Sequence, residues 1–197
     1  MNQIEPLSEA FWTQRWEKGT TGWDIGYPSP ALIEYAQASI PKEASILIPG
    51  AGNAYEAIWL FENGWKQVSV LDISAVPIQR LQVKYPEFPK DQLIHTNFFD
   101  HLGNYDFVLE QTFFCALSPS LRDQYVQQMH NLIAQGGKLA GLLFNFPLTE
   151  KGPPFGGSAG EYQERFSPYF NILKLETAQN SIKPRQGSEL FFEFERM

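Results

Sequence analysis

The sequence predicts an α/β fold, a mostly parallel sheet with helices on both faces, and three observations point to it. Apolar runs of strand length alternate with segments of helical composition from residue 45 onward. The first run is closed by a glycine turn that leads into a helix. Successive runs then end on single polar residues, Asp72, Asn97 and Glu110. Alternation of this kind builds parallel strands joined by crossover helices, and the polar strand ends are expected to converge on one crevice beyond the carboxyl edge of the sheet.

Taken in order, Ser45-Ile46-Leu47-Ile48 reads as a strand and Pro49-Gly50-Ala51-Gly52 as the turn. Ala54 to Glu62 is the helix, which Asn63-Gly64 stops. Val68-Ser69-Val70-Leu71 is a second strand, Leu93-Ile94-His95-Thr96 a weaker third, and Tyr105 to Leu109 a fourth. Leu121 to Ala134 has a helical pattern ending at Gly136-Gly137, after which Lys138 to Phe144 makes the fifth strand. Ile172 to Glu176 and Glu189 to Glu195 bring the sheet to seven strands. Residues 147–160, rich in Pro and Gly, are expected to loop over the substrate side of the site. The chain, 1–197, reads as a single domain with an aromatic N-terminal segment, 1–30.

Composition excludes several function classes. A formal charge of −7 and a pI near 5.0 disfavour polyanionic partners, which are bound by clustered Lys and Arg that release counterions. No nucleic-acid or membrane partner is therefore expected, and a small-molecule substrate is. The single cysteine, Cys115, leaves no intramolecular disulfide framework, and Met1 to Ala10 has neither a basic start nor an apolar signal core. With no apolar run of membrane-spanning length, the reading is a soluble, cytoplasmic, monomeric protein. His95, His101 and His130 have no metal-ligand spacing, so no metal is expected.

A glycine turn at the end of a first strand lets a ligand approach the backbone, and an acidic residue about twenty positions later can accept hydrogen bonds from ribose hydroxyls. Gly50 and Gly52 supply the turn and Asp72 the acceptor. The third glycine of the dinucleotide fingerprint would fall at position 55, where this chain has Tyr55. A bulky ring there suits a pyrophosphate poorly, whereas S-adenosylmethionine has none, so a methyl donor fits better than a hydride carrier. Asn97 can both donate to and accept from an adenine, and Phe98 can stack on it. The alternative is that Asn97 starts a turn and that Phe98 and Phe99 are core, a reading preferred for Phe99.

Trp12, Trp16 and Trp23 precede the sheet, with Gly19 and Gly22 as hinges. Trp12 and Trp16 share a helix face, and core packing accounts for them simply. A cationic sulfonium is also attracted to an aromatic face, so the segment is expected to act as a flap over the cofactor, Trp23 above all.

With these residues in view, the chain resembles the thiopurine S-methyltransferase family, and its thiol and halide methyltransferase branch in particular. The marks run through nearly the whole chain: the Trp12 to Trp23 segment with Gly26-Tyr27-Pro28-Ser29-Pro30, the turn Ile48-Pro49-Gly50-Ala51-Gly52, Leu71-Asp72-Ile73-Ser74, Asn97-Phe98-Phe99-Asp100, and Glu110 to Leu117. The resemblance implies a Rossmann-like class I methyltransferase fold that binds S-adenosyl-L-methionine. It implies cofactor contacts at Trp12, Trp16, Trp23, Gly50, Gly52, Asp72, Asn97, Phe98, Gln111 and Thr112. It also implies that Pro153, Pro154 and Phe155 close the substrate side, where Phe113 and Phe114 are expected to line the pocket. Phe155 stands where the branch often has tyrosine, and Gln111-Thr112 replaces the Arg-Gly pair of the drug-metabolising branch.

The expected chemistry is in-line methyl transfer to a small soft nucleophile, a thiol, a thiopurine-like thiol or a halide, with Glu110 and Tyr162 as candidate bases for a thiol. Cys115 beside Phe113 and Phe114 reads as a small core residue, because direct transfer needs no covalent nucleophile. Asn145-Phe146-Pro147-Leu148 is faintly like the loop of amino-group methyltransferases but follows the fifth strand and lacks a second proline. A cofactor-binding sensor or regulatory protein without turnover is the alternative of a different class, and a methyltransferase for a different small molecule is the nearer one.

Overall fold

The computed structural model describes residues 5–197; the first four residues of the aromatic N-terminal segment lie outside them. Helix α1 (Glu9–Glu17) begins at Ser8, whose hydroxyl accepts from Phe11 N at 3.3 Å, and α2 (Pro30–Ser39) opens on proline, whose missing N–H costs nothing in a first turn. There follow β1 (Ile46–Pro49), α3 (Tyr55–Glu62), β2 (Val68–Asp72), α4 (Ala75–Lys84), β3 (Leu93–His95) and β4 (Tyr105–Gln111). Then come α5 (Arg122–Leu132), β5 (Ile133–Phe144), α6 (Ala159–Phe166), β6 (Phe170–Thr177) and β7 (Glu189–Arg196).

The seven strands form one sheet in the order β3-β2-β1-β4-β5-β7-β6, parallel except for β7, which runs against both of its neighbours. Ile46, Ile48, Val68 and Val70 face one side and pack on Leu32, Ala36, Ala57 and Leu60 of α2 and α3. Leu47, Leu71, Val108 and Leu139 face the other, beneath Tyr125 and Met129 of α5 and Phe166 of α6. Side chains alternate along a strand, so apolar runs such as Ile46-Leu47-Ile48 bury both faces. No helix among the described residues is long and apolar enough to cross a membrane.

Two boundaries depart from expectation. Ala54 is not the first helical residue but the cap of α3, at φ 54°. The glycine pair Gly136-Gly137 lies within β5 rather than before it, and α5 ends at Leu132. The reason is close backbone approach: a Cβ at Gly137 would sit 2.8 Å from the Asp106 carbonyl, beside the register shift between β4 and β5 at Tyr105 and Phe107.

The chain leaves β1 toward β2 on one side and enters β4 on the other, and this reversal opens a crevice at the carboxyl ends of both strands. Because β7 is antiparallel, its first residue, Glu189, pairs with the last of β5, Phe144. Residues just before β7 therefore arrive at the same edge.

Candidate active site

A cavity of about 1030 Å³ lies at this edge. The sheet order lays it out. Leu71, Asp72 and Ile73 after β2, and Asn97, Phe98 and Phe99 after β3, line one end; Thr112 and Phe113 after β4, Phe144 of β5, Pro153, Pro154 and Arg185 line the other. Gly50 and Gly52 lie between them, and Trp12, Trp16 and Trp23 form part of the wall.

At the first end the turn after β1 is drawn onto β2, with Gly50 N and Ala51 N both donating to the Leu71 carbonyl, at 2.8 and 3.1 Å. Gly50 has φ 69°, and a Cβ there would meet Phe113 Cδ2 at 2.6 Å, so glycine keeps the backbone open to a ligand. Asp72 is buried, its Oδ1 accepting from Ser74 N at 2.8 Å. Burial raises its carboxyl pKa to about 6 against the opposing amides of Ser74, Gly52 and Ala51 and the His95 ring. At neutral pH it remains a carboxylate with acceptor capacity toward the cavity. Asn97 caps the 3-10 turn Phe98–Asp100 by accepting from Phe99 N at 3.1 Å. It thus starts a turn and borders the cavity at once. Phe98 is the buried ring of the pair and Phe99 the half-buried one, the reverse of the preference for Phe99 as core, although both line the cavity.

The aromatic segment is tied to this end. Trp23 meets Trp12 and Trp16 edge to face, with centroids 5.5 and 5.7 Å away. Thr13 Oγ1 and Ser74 Oγ are 2.7 Å apart, and Arg80 donates to the Trp16 carbonyl at 3.2 Å. Asp24 accepts from Asn53 Nδ2 at 2.6 Å and from the Tyr55 hydroxyl at 3.5 Å. Tyr55, at the place of a third fingerprint glycine, thus reaches the N-terminal aromatic segment.

At the other end Arg185 donates to the Trp23 carbonyl at 3.0 Å, pairs with Glu189 at 3.4 Å, and lies 5.7 Å from the centre of the Phe144 ring. Burial raises the Glu189 pKa, and Arg185 opposes that rise. The rear of the 147–160 loop is fixed by Arg122, a fully buried guanidinium that donates to Glu161 and to the Gly156 carbonyl, both at 2.7 Å, above the Phe114 ring.

Several expected site residues lie elsewhere. Gln111 borders a smaller cavity on the far side of the glycine turn, because alternation along β4 turns it away. Phe114 is core, packed on Tyr125, Tyr162 and Phe166, and Phe155 is buried with its amide on the Cys115 carbonyl at 2.8 Å. Neither lines the large cavity. Glu110 is fully buried, its Oε1 accepting from Phe113 N and Phe114 N at 2.8 Å each, and Tyr162 donates to the Phe144 carbonyl at 2.6 Å. Both hold backbone in shape, and neither reaches the cavity. Cys115 is buried and also touches the cavity, and burial pushes its thiol pKa well up. Arg185, Arg122 and Asp24 escaped the sequence reading. Arg185 has a topological signal, since it precedes a strand that must run antiparallel to bring it to this edge.

A model of the thiopurine S-methyltransferase family matches residues 7–195. The chain belongs to that family. It is 29% identical to probable thiol methyltransferase 2 of Arabidopsis thaliana, over 92% of this chain and 83% of that protein. It is 26% identical to thiocyanate methyltransferase 1 of Brassica oleracea, over 94% and 84%. Its fold matches the 1,6-didemethyltoxoflavin-N1-methyltransferase of Burkholderia thailandensis, solved with S-adenosylhomocysteine, at a TM-score of 0.76 and 16% identity, covering 100% of this chain and 92% of that one. The fold is thus the class I methyltransferase fold, and the chain is an S-adenosylmethionine-dependent methyltransferase acting on a small molecule. The residues fit that cofactor: an open glycine turn, a buried carboxylate for the ribose, an amide beside two Phe rings, and three indoles near the centre.

Proposed function

We propose that this enzyme methylates a small soft nucleophile, a thiol, a thiopurine-like thiol or a halide, by in-line displacement. The observation that carries the reading is Arg185 beside the Phe144 ring, on a wall shared with Phe113, Pro153 and Pro154. An apolar recess with a cation on its wall favours a polarisable anion that gives up its water readily over amines or oxygen acids. The two plant relatives, a probable thiol methyltransferase and a thiocyanate methyltransferase, support the same class.

When bound, S-adenosylmethionine supplies a methyl group on a cationic sulfonium. In this reading Asp72 accepts from the ribose hydroxyls, Asn97 and Phe98 hold the adenine, and the Gly50 and Gly52 turn and Thr112 flank the amino-acid end. Trp12, Trp16 and Trp23 present ring faces to the cation and exclude water. Arg185 aligns the acceptor and favours the thiolate over the thiol. A halide needs no base, and a thiol of pKa about 8.5 is already a few per cent ionised at neutral pH. Residues 1–30 act as the flap and 147–160 as the substrate-side loop of one domain in a soluble, cytoplasmic monomer with no nucleic-acid or membrane partner.

The test is a panel of iodide, thiocyanate, hydrosulfide, an aryl thiol, an amine, a carboxylate and a catechol, scored by S-adenosylhomocysteine release. A soft anion or thiol should rank first by kcat/KM. An amine or carboxylate at the top would overturn the substrate class, and tight cofactor binding without any turnover would favour the sensor.

A further inference from the structure

Arg185 does not meet the cavity as a free cation. Its Nη1 lies 3.4 Å from Glu189 Oε1, and the Glu189 side chain is only 2% exposed against 13% for Arg185. Glu189 is the first residue of β7 and does not line the cavity, so it sits behind the guanidinium. Its other neighbour is the buried Ser181 hydroxyl, which helps Arg185 to oppose the rise of its pKa without a well-formed hydrogen bond to Oε2. The remaining contacts of Arg185 are neutral, the Trp23 carbonyl and the Phe144 ring. An acceptor anion therefore feels a guanidinium whose charge is partly offset from the rear.

We infer that Glu189 is a positioning residue that sets the acceptor preference of this site, by holding Arg185 and lowering its attraction for simple anions relative to neutral thiols. The substrate class in that statement rests on the methyl-transfer reading; the anion affinity does not. Removing a buried unit charge directly behind the guanidinium, at an effective dielectric near 20, corresponds to about a tenfold gain in anion affinity or more. Glutamine preserves the shape and one acceptor, and Arg185 tolerates the loss of its partner because it borders the open cavity.

The experiment uses the full chain loaded with S-adenosylhomocysteine and iodide as the probe, with saturable quenching of tryptophan fluorescence giving its Kd. It is repeated for E189Q, the apolar E189M and the charge-preserving E189D. In parallel, KM is measured for iodide and for a small alkyl thiol, which is mostly un-ionised at neutral pH. We expect E189Q and E189M to bind iodide about tenfold more tightly or better, the thiol KM to stay level or rise, and E189D to stay near the parent. A merely structural role would weaken both acceptors together. Unchanged or weaker iodide binding in folded E189Q or E189M would overturn the inference. Tightened iodide binding with no turnover of any acceptor by the parent would support it and overturn the methyl-transfer reading instead.

Discussion

Replacing Glu110 by glutamine isolates the energetics of a carboxyl that the fold buries completely behind the Phe113 wall. One oxygen accepts two backbone amides at 2.8 Å and the other has no partner. Burial raises the pKa from 4.5 to about 7, with the two amides opposing the rise and Glu189 adding to it. The folded chain therefore holds this proton more tightly than the unfolded chain does. The associated stability is complete below about pH 4.5 and is lost as pH rises through about 7. The difference between those two values corresponds to about 3 kcal/mol. Glutamine keeps the acceptor and cannot ionise, so Glu110→Gln should gain up to about 3 kcal/mol on the parent between acid and mildly alkaline pH. Urea unfolding of both proteins across about pH 5 to 8 measures the difference. Parallel stability curves would refute the reasoning. Because Glu110 does not border the cavity, kcat/KM of the variant should stay within about threefold, whereas a loss of a hundredfold or so would restore it as a general base.

Asp72→Ala should cost charge-assisted hydrogen bonds worth about 1.5–3 kcal/mol each, so calorimetry should show S-adenosylhomocysteine affinity falling at least about tenfold in a folded protein. An affinity within a factor of about two would remove Asp72 from the cofactor site. S-adenosylhomocysteine should protect the segment from Trp12 to Trp23 against limited proteolysis, and equal cutting with and without it would end the flap reading. Arg122→Met strands the Gly156 carbonyl and loosens the root of the loop that carries Pro153 and Pro154. Unfolding should show a loss of about 3 kcal/mol, and acceptor KM should rise while cofactor affinity holds.

What the sequence disclosed divides along local and non-local lines. The turn at Gly50, the carboxylate at Asp72 and the strand-ending Asn97 were legible because each depends on a few neighbouring residues and on the rule that ligands sit beyond carboxyl strand ends. Arg185 was not, because its place depends on β7 inserting antiparallel between β5 and β6, a pairing with no local mark. Glu110 and Phe114 misled for a different reason. Both sit in a motif-rich segment that spans the end of β4, but the chain reverses sharply at Thr112, with φ 60°. That turn sends Phe113 to the cavity and Phe114 to the core, a choice that residue type alone does not reveal.

The same topology explains how one fold can keep a fixed methyl donor and change its acceptor. The end proposed for the donor draws on the termini of β1, β2 and β3, of which β1 and β2 are largely buried. The acceptor end draws on the segment after β5 and the residues before β7, which approach from opposite chain directions and meet only where Phe144 pairs with Glu189. Substitutions in 147–160 or at 181–189 reshape or recharge the recess without touching the ribose carboxylate or the glycine turn. Trp23 is the exception, since its carbonyl accepts from Arg185 while its ring meets Trp12 and Trp16 edge to face. Through that residue Arg185 is joined to the N-terminal aromatic segment by a direct hydrogen bond rather than through the sheet.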